Sequence, residues 1–312
     1  MAQIDRAEWL ESFVAVARYT SFSAAAHALH RSQSRVSSHV ASLEKAVGHT
    51  LIDRSTIPCQ LTEKGSIFYQ RATEILDLIK TSVSELSSEP GSLTGTVVVG
   101  TIPSISAEFI PDVAISLHHK EPNIGFSIIE RTSRELSSLL LSGDIDLAIY
   151  SRAIDDTSMA KPLHTLWFEP YVAVFPEDSP DLPTKPRVTP EDLLGLNLAV
   201  TGAPGRKRDP EWAAVLDAWH ADIAPVKFRT EQPQTLINMA RSGLLVPVIN
   251  YLAYESCRHE NLRAFPIEHG NLQREVGVSW NQSRHMPLEV QRMIETIIHT
   301  PPPAGLSAVQ DV

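Results

Sequence analysis

The sequence predicts a multidomain α+β chain in which a small helical domain, one long helix and a larger α/β region follow one another. Three observations carry the expectation. Up to about residue 88 the apolar residues recur mostly at helical spacing. From Thr96 onward short β-branched runs alternate with amphipathic helical stretches. Between the two lies "SSEPGSLTG", whose Pro90, Gly91 and Gly95 mark a linker. With 312 residues, 43% hydrophobic and 21% charged, the chain suits two or three globular domains rather than a disordered one.

The elements follow in order. Leu10, Phe13, Val14 and Ala17 give a helix with one buried face that stops near Tyr19. Ser23 is the expected N-cap of a second, short helix whose Ala25, Ala26 and Leu29 face inward, the small alanines allowing close approach. After a break at His30 to Ser32, Val36, Val40, Leu43 and Val47 form the next apolar stripe, and Gly48 is its expected stop. The opposite face presents Ser34, Arg35, Ser38, His39 and Ser42. Two short helices across a tight break, the second with a polar and partly basic face, are the sequence form of a helix-turn-helix. "TLIDRSTIPCQLTEKG" then reads as a hairpin, or wing, turning at Thr56 to Pro58 and carrying Arg54.

Thr62 is placed to cap a long helix reaching about Ser88. Along it Ala72, Leu76, Ile79, Val83 and Leu86 alternate in steps of four and three, the spacing of a coiled-coil seam; Phe68, Ile75 and Leu78 lie off it, free to pack back on the helix-turn-helix. The stripe also suits packing within the chain. About 26 residues at roughly 1.5 Å each reach beyond a small domain, which favours pairing with a second copy. Beyond the linker, "TVVVG", "IGFSIIE", "IDLAIY", "PYVAVF", "LNLAV", "VKFRT", "LLVPVI" and "REVGVSW" read as strands. "AEFIPDVAISLHHKEP", "SRELSSLLLSG", "PEWAAVLDAWH", "QTLINMARSG" and "PLEVQRMIETIIH" read as helices, so a parallel α/β sheet is expected. "HTPPPAGLSAVQDV" is expected to fray.

Charge sharpens the function class. The chain carries a formal net charge of -10, yet residues 1–90 hold 9 Lys and Arg against 10 Asp and Glu. Within 21–71 six basic residues (Arg31, Arg35, Lys45, Arg54, Lys64, Arg71) face three acidic ones, so a short basic region sits inside an acidic protein, and contacts to phosphates depend on that local field. No apolar run approaches the roughly 18 residues of a membrane span, and "MAQIDRAEWLESF" is unlike a secretion signal, which points to the cytoplasm. Cys59 and Cys257 have no metal-ligand spacing, so no metal site or disulfide framework is indicated. No Gly-x-Ser-x-Gly elbow, phosphate loop or Rossmann fingerprint occurs, and an enzyme is not expected.

The order of parts is more specific than any single motif. "FVAVARYTSFSAAAHALHRSQSRVSSHVASLEKAVGHTLIDRS" followed by "LTEKG" resembles the winged helix-turn-helix of the LysR-type transcriptional regulators. "GTVVVGTIPS", "SGDIDLAI" and "ARSGLL" before "VPVI" resemble that family's effector domain, so the likeness spans about residues 4–300. It implies a winged helix-turn-helix at 1–61, a linker and dimerisation helix with a hinge at 62–93, and an effector domain at 94–300, with a tail at 301–312. The effector domain would hold two subdomains, 94–163 with 270–300 and 164–269, similar to those of periplasmic binding proteins. The implied protein is a cytoplasmic homo-oligomer, commonly a dimer of dimers. It binds double-stranded promoter DNA, works with RNA polymerase, and uses no cofactor beyond a small-molecule co-inducer held between the subdomains.

An α-helix fits the B-DNA major groove, where Arg pairs with guanine and Gln with adenine, while hydroxyls serve phosphates or bases. The candidates are Ser23, Arg31, Ser32, Gln33, Ser34, Arg35, Ser38 and His39, with Arg54 on the wing. By resemblance Ser32, Gln33, Ser34 and Ser38 match the start of the family's recognition helix and Arg54 its wing arginine. Arg31 and Arg35 stand where the family usually has an apolar and a small residue. A solvated helix surface has a similar composition; the alanine-rich helix before it, the wing and the seam favour DNA. A twofold dimer would demand a roughly palindromic operator.

Parallel α/β sheets bind ligands beyond the carboxyl ends of their strands. Those ends are "TIPS", "RTS", "TGAPG" and "TEQPQT", which nominate Thr101, Pro103, Ser104, Ser133, Thr201, Gly202, Gln234 and Thr235. Ser104, Ser133 and Thr201 match effector-contacting positions in the family. Ordinary helix caps explain the same serines and threonines equally well. Arg206, Lys207 and Arg208 favour an anionic effector if they face the cleft, and a surface loop is the alternative. The peroxide-sensing branch of the family needs two effector-domain cysteines, and Cys257 is the one present.

Overall fold

The computed structural model describes residues 4, 6–87, 93–153, 159–201, 226–230, 232–268 and 273–306. They fall into two compact units, 1–94 with 282–287, and 95–281 with 288–312. No described helix is long and apolar enough to cross a membrane.

The first unit is built from α1 (Ala7–Tyr19), α2 (Phe22–Ala28), α3 (Gln33–Val47), a two-stranded hairpin of β1 (Ile52–Asp53) and β2 (Gln60–Leu61), and α4 (Glu63–Ser87). The punctuation is local. Ser21, not Ser23, caps α2, accepting the Ala24 N–H at 3.3 Å, because the turn from α1 closes two residues earlier than the Phe22–Ser23 pattern suggested. Ser32 caps α3 through the Arg35 N–H at 3.3 Å, and Gly48 ends it at φ 74°, a left-handed conformation that side chains disfavour. Phe13, Val16, Ala25, Val36, Val40 and Leu43 are fully buried, and Phe13 packs its ring on Phe68 and Tyr69 at 5.6 and 6.4 Å.

The Leu-Thr-x-x-Gly motif has a steric reason. Thr62 caps α4 through the Gly65 N–H at 2.9 Å and anchors backward to the Thr50 carbonyl at 2.8 Å. A Cβ at Gly65 would lie 2.0 Å from the Leu51 carbonyl oxygen, so only glycine lets α4 cross the wing so closely. The expected seam is divided. Ala72 and Leu76 are spent in the unit's own core, as is Phe68, whereas Ile75, Leu78, Ile79 and Val83 are exposed. The exposed apolar stripe is therefore rotated from the expected one, because the first seam positions face α1. The Leu86 side chain lies outside the described residues.

The second unit carries one continuous sheet. Its strands are β3 (Gly95–Thr101), β4 (Ile124–Glu130), β5 (Leu147–Ala153), β6 (His164–Pro176), β7 (Leu198–Thr201), β8 (Val226–Thr230), β9 (Val246–Asn250), β10 (Leu262–Pro266) and β11 (Gln273–Trp280). Their order is β4-β3-β5-β11-β6-β9-β7-β8, with β10 added to β6. Two parallel groups, β4-β3-β5 and β9-β7-β8, are joined through antiparallel β11 and β6. The described helices are α5 (Pro103–Glu108), α6 (Ile110–Lys120), α7 (Ser133–Ser142), α8 (Pro233–Ala240), α9 (Tyr251–Glu255) and α10 (Leu288–His299).

The single helix expected over "AEFIPDVAISLHHKEP" is broken at Phe109, which is wholly buried with its ring 4.9 Å from that of Trp167. The helix expected over "PEWAAVLDAWH" lies outside the described residues. At the joint each face of the sheet holds a buried ion pair: Arg274 with Glu169 on one, and Arg152 with Glu275 on the other at 2.9 Å. The tail expected to fray is instead packed over its first residues. Pro303 is buried, and a Cβ at Gly305 would meet the Tyr251 hydroxyl at 2.7 Å, so Tyr251 supplies a wall that the proline-rich composition did not reveal.

Candidate functional site

In the first unit α3 buries one face and exposes the other. Ser32, Gln33, Ser34, Arg35 and Ser38 are all exposed along its start, and Ser32 and Ser34 share a hydroxyl contact of 3.1 Å. Ser23 is exposed in the first turn of α2. Two nominated residues do not join them. His39 is 9% exposed, with its Nδ1 2.8 Å from the Oγ of fully buried Ser12, because α1 packs over that flank of α3. Arg31 is half-buried, donating to Glu11 at 2.7 Å, and its Nη1 is buried without a hydrogen-bond partner among the described residues. Arg35 stands further out, 3.5 Å from Glu8, and the same carboxylate oxygen lies 3.9 Å from His39 Nε2.

The wing is tied to α3 by one residue that the sequence reading passed over. Glu44 accepts the Leu51 and Ile52 N–H groups through Oε1 at 2.8 and 3.1 Å, and pairs with Arg54 through Oε2 at 3.2 Å. Arg54 also lies 4.8 Å over the Phe22 ring and reaches Ser37 Oγ at 3.5 Å. Its guanidinium thus spans α2, α3 and the wing at the exposed edge of the polar face. The hairpin tip presents Ile57 fully exposed.

In the second unit the nominated loops do follow parallel strands at their carboxyl ends. Thr101 ends β3 opposite Glu130, the last residue of β4, and its carbonyl accepts the Arg131 N–H at 3.1 Å, which brings the loops of Ser104 and Ser133 to one sheet edge. Thr201 ends β7 opposite Thr230 at the end of β8. Thr101 is fully buried, Pro103 exposed and Thr201 half-buried, while Gln234 and Thr235 are exposed on the first turn of α8. Gly202 and the Arg206, Lys207 and Arg208 cluster lie outside the described residues.

Helix capping does not account for the two serines. The N-cap of α7 is Thr132, which forms a capping box with Glu135, so Ser133 is left 5% exposed with an Oγ that has no partner among the described residues. At α5 the N-cap is Ile102, and the Ser104 hydroxyl is 3.4 Å from the Asn250 side-chain amide. With its oxygen turned inward, that amide accepts from Arg274 at 3.2 Å and the Ala253 N–H at 3.1 Å. Arg274 is in turn held by Glu169, whose other oxygen accepts the Leu252 N–H at 3.1 Å. Ser104 therefore stands at the end of a buried polar chain across the joint. Asn250, Arg274 and Glu169 were invisible as site residues because they meet only in the folded sheet.

Two groups nearby have shifted acidities. Burial pushes the Glu108 carboxyl at the end of α5 up, and the Glu255 charge adds to this. Burial likewise pushes the Cys257 thiol up, which keeps the reactive thiolate scarce.

Comparison with known proteins fits this geometry. Residues 7–66 match the model of bacterial regulatory helix-turn-helix proteins of the lysR family, and residues 90–301 match that of the LysR substrate binding domain. The HTH-type transcriptional regulator ShiR of Corynebacterium glutamicum is 30% identical over 189 residues, covering 60% of this chain and 61% of its own length. Full-length OxyR from Pseudomonas aeruginosa superposes with a TM-score of 0.71 at 22% identity, over 99% of this chain and 100% of that one. CbnR, solved in complex with its target DNA, gives 0.58 at 18% identity, over 95% of this chain and 99% of that one. With both of its parts accounted for, the chain belongs to the LysR family of bacterial helix-turn-helix regulatory proteins.

Proposed function

We propose that the protein is a cytoplasmic, DNA-binding transcriptional regulator whose first unit reads promoter DNA and whose second unit responds to a small-molecule effector. Gln33, Ser34 and Arg35 read base edges in the major groove, Ser32 and Ser38 serve the backbone, and Arg54 holds a phosphate beside them. The exposed stripe of Ile75, Leu78, Ile79 and Val83 on α4 pairs two copies, and such dimers associate further into a tetramer.

The observation that carries the effector half of the reading is the buried Ser133 hydroxyl, which has no partner among the described residues because Thr132 does the capping. A buried hydroxyl left unpaired costs about 1–3 kcal/mol, and an effector's oxygen or nitrogen would relieve it. The effector binds between the loops of Ser104 and Ser133 on one side and Thr201, Gln234 and Thr235 on the other. An organic acid is favoured by the Arg206, Lys207 and Arg208 cluster that follows Thr201 in sequence. Its binding changes the closure of the two parallel strand groups across β6 and β11. That closure resets the spacing of dimers on DNA and their contact with RNA polymerase.

Calorimetry of the full chain with a panel of organic acids and their neutral analogues tests the effector half. Binding of an acid that weakens about tenfold or more in Ser133→Ala supports the reading. Binding of neutral compounds alone, or equal binding by Ser133→Ala, refutes it.

A further inference from the structure

We propose that residues 300–306 form a strap that holds α9 against α5 and so limits how far the two parallel strand groups open from one another. It rests on the reading above, in which an effector changes that closure. The strap begins on one group. α10 lies on α6 and β3, with Val290, Met293, Ile294 and Ile297 buried. Thr300 extends that hold, since its hydroxyl and its N–H both donate to the Thr296 carbonyl, at 2.8 and 3.0 Å. The strap ends on the other group. Three prolines, 301–303, follow Thr300, and their fixed φ angles carry the chain stiffly away from α10. Pro303 is buried, and its carbonyl accepts the Leu306 N–H at 3.1 Å to close a turn. Gly305 sits in that turn at φ 82°, so near Tyr251 that a Cβ there would lie 2.7 Å from the hydroxyl and 3.3 Å from the ring. Tyr251 is the first residue of α9, directly after β9.

The groups need holding at this place. α5, which follows β3, packs against α9, and there Ser104 meets the Asn250 side chain at 3.4 Å. Charge works against the contact. Burial pushes the Glu108 carboxyl of α5 up and the Glu255 charge of α9 pushes it further, with His259 acting the other way. Burial and the same Glu255 carboxylate push the Tyr251 hydroxyl up to about 12, so the surface under Gly305 stays uncharged. Two carboxylates that repel across α5 and α9 favour opening, and the strap supplies the opposing tether.

Amide hydrogen exchange near pH 8, read by mass spectrometry on the effector-free protein, compares wild type with Gly305→Val and with a chain stopped after Thr300. Valine is strained at that φ and meets Tyr251, so Gly305→Val displaces the strap while leaving it present; it carries the test if the stopped chain fails to fold. In both variants α5 and α9 should exchange about tenfold faster or more, while β3, α6 and α10 keep their wild-type rates. Adding Glu108→Gln to Gly305→Val should win back about threefold of that protection, because the repulsion is gone. Wild-type rates in α5 and α9 of both variants overturn the proposal. So does acceleration spread evenly over the whole unit, which would make the tail a general stabiliser, or no recovery with Glu108→Gln. The measurement uses no effector, so its failure is separate from that of the effector reading, which calorimetry decides.

Discussion

Removing Glu169 tests whether the joint of the sheet is held by its buried ion pair. The carboxylate is fully buried, and Arg274 facing it is 3% exposed, so neither charge has water to fall back on. In Glu169→Leu the guanidinium loses its counter-charge, which typically costs about 3–5 kcal/mol. The Leu252 N–H also loses its acceptor, worth about 1–3 kcal/mol more. A total near 4–8 kcal/mol is a large share of the roughly 5–15 kcal/mol by which folded domains are stable. It corresponds to a fall of about 10–25 °C in the melting temperature of a unit this size. The double variant Glu169→Leu with Arg274→Met removes both charges and should recover about 3 kcal/mol, leaving the orphaned Leu252 N–H and the Arg274 donor lost to Asn250 among the residual costs. Urea titration and thermal melting of the full chain measure all three proteins. A single variant within about 1 kcal/mol of wild type, or a double variant no better than the single, would refute the reasoning.

Other perturbations separate the parts of the proposed DNA-facing surface from the rest of the chain. Arg35→Ala should cost about 1–3 kcal/mol at one base pair and relax the choice there, whereas Arg54→Ala should weaken all duplexes alike; titration of single-base variants distinguishes the two. Glu44→Ala removes the acceptor of two wing N–H groups and should destabilise the first unit by about 2–4 kcal/mol, read by urea melting, with Glu44→Gln retaining roughly half. Glu108 supplies a pH test. Its folded-state acidity is weakened, so its ionisation opposes folding once the pH passes the ordinary carboxylate value. Glu108→Gln should therefore raise the melting temperature near pH 8 and give no gain near pH 4; a gain that is equal at both would contradict the burial argument.

Local features were legible and distant ones were not. The helical stripe of Val36, Val40 and Leu43, the stop at Gly48 and the Thr62 cap are written within a few residues, and each forms as the spacing predicts. The Glu169–Arg274 pair joins residues 105 positions apart, and no pattern within either strand announces it. β10 escaped notice because Arg263 and Pro266 break the apolar alternation, yet pairing with β6 supplies its register. His39 shows the limit most plainly. Its place among Ser38 and Ser42 reads as an exposed polar face, and only the arrival of Ser12 from α1 turns it inward. In the second unit the sequence named Ser104 and Ser133 together with the competing explanation of capping. Thr132 and Ile102 remove that competitor, and they do so through cap geometry that the composition alone leaves open.

On the proposed function, α3 reads guanine and adenine edges in the major groove through the exposed row from Ser32 to Ser38. Methylation interference on duplexes enriched by the wild-type chain addresses it most directly. Methyl groups on guanine N7, which lie in the major groove, should abolish binding at one symmetric position in each half-site, and Arg35→Ala should become insensitive to them there. Interference confined to adenine N3 in the minor groove, with guanine N7 methylation tolerated throughout, would contradict the account.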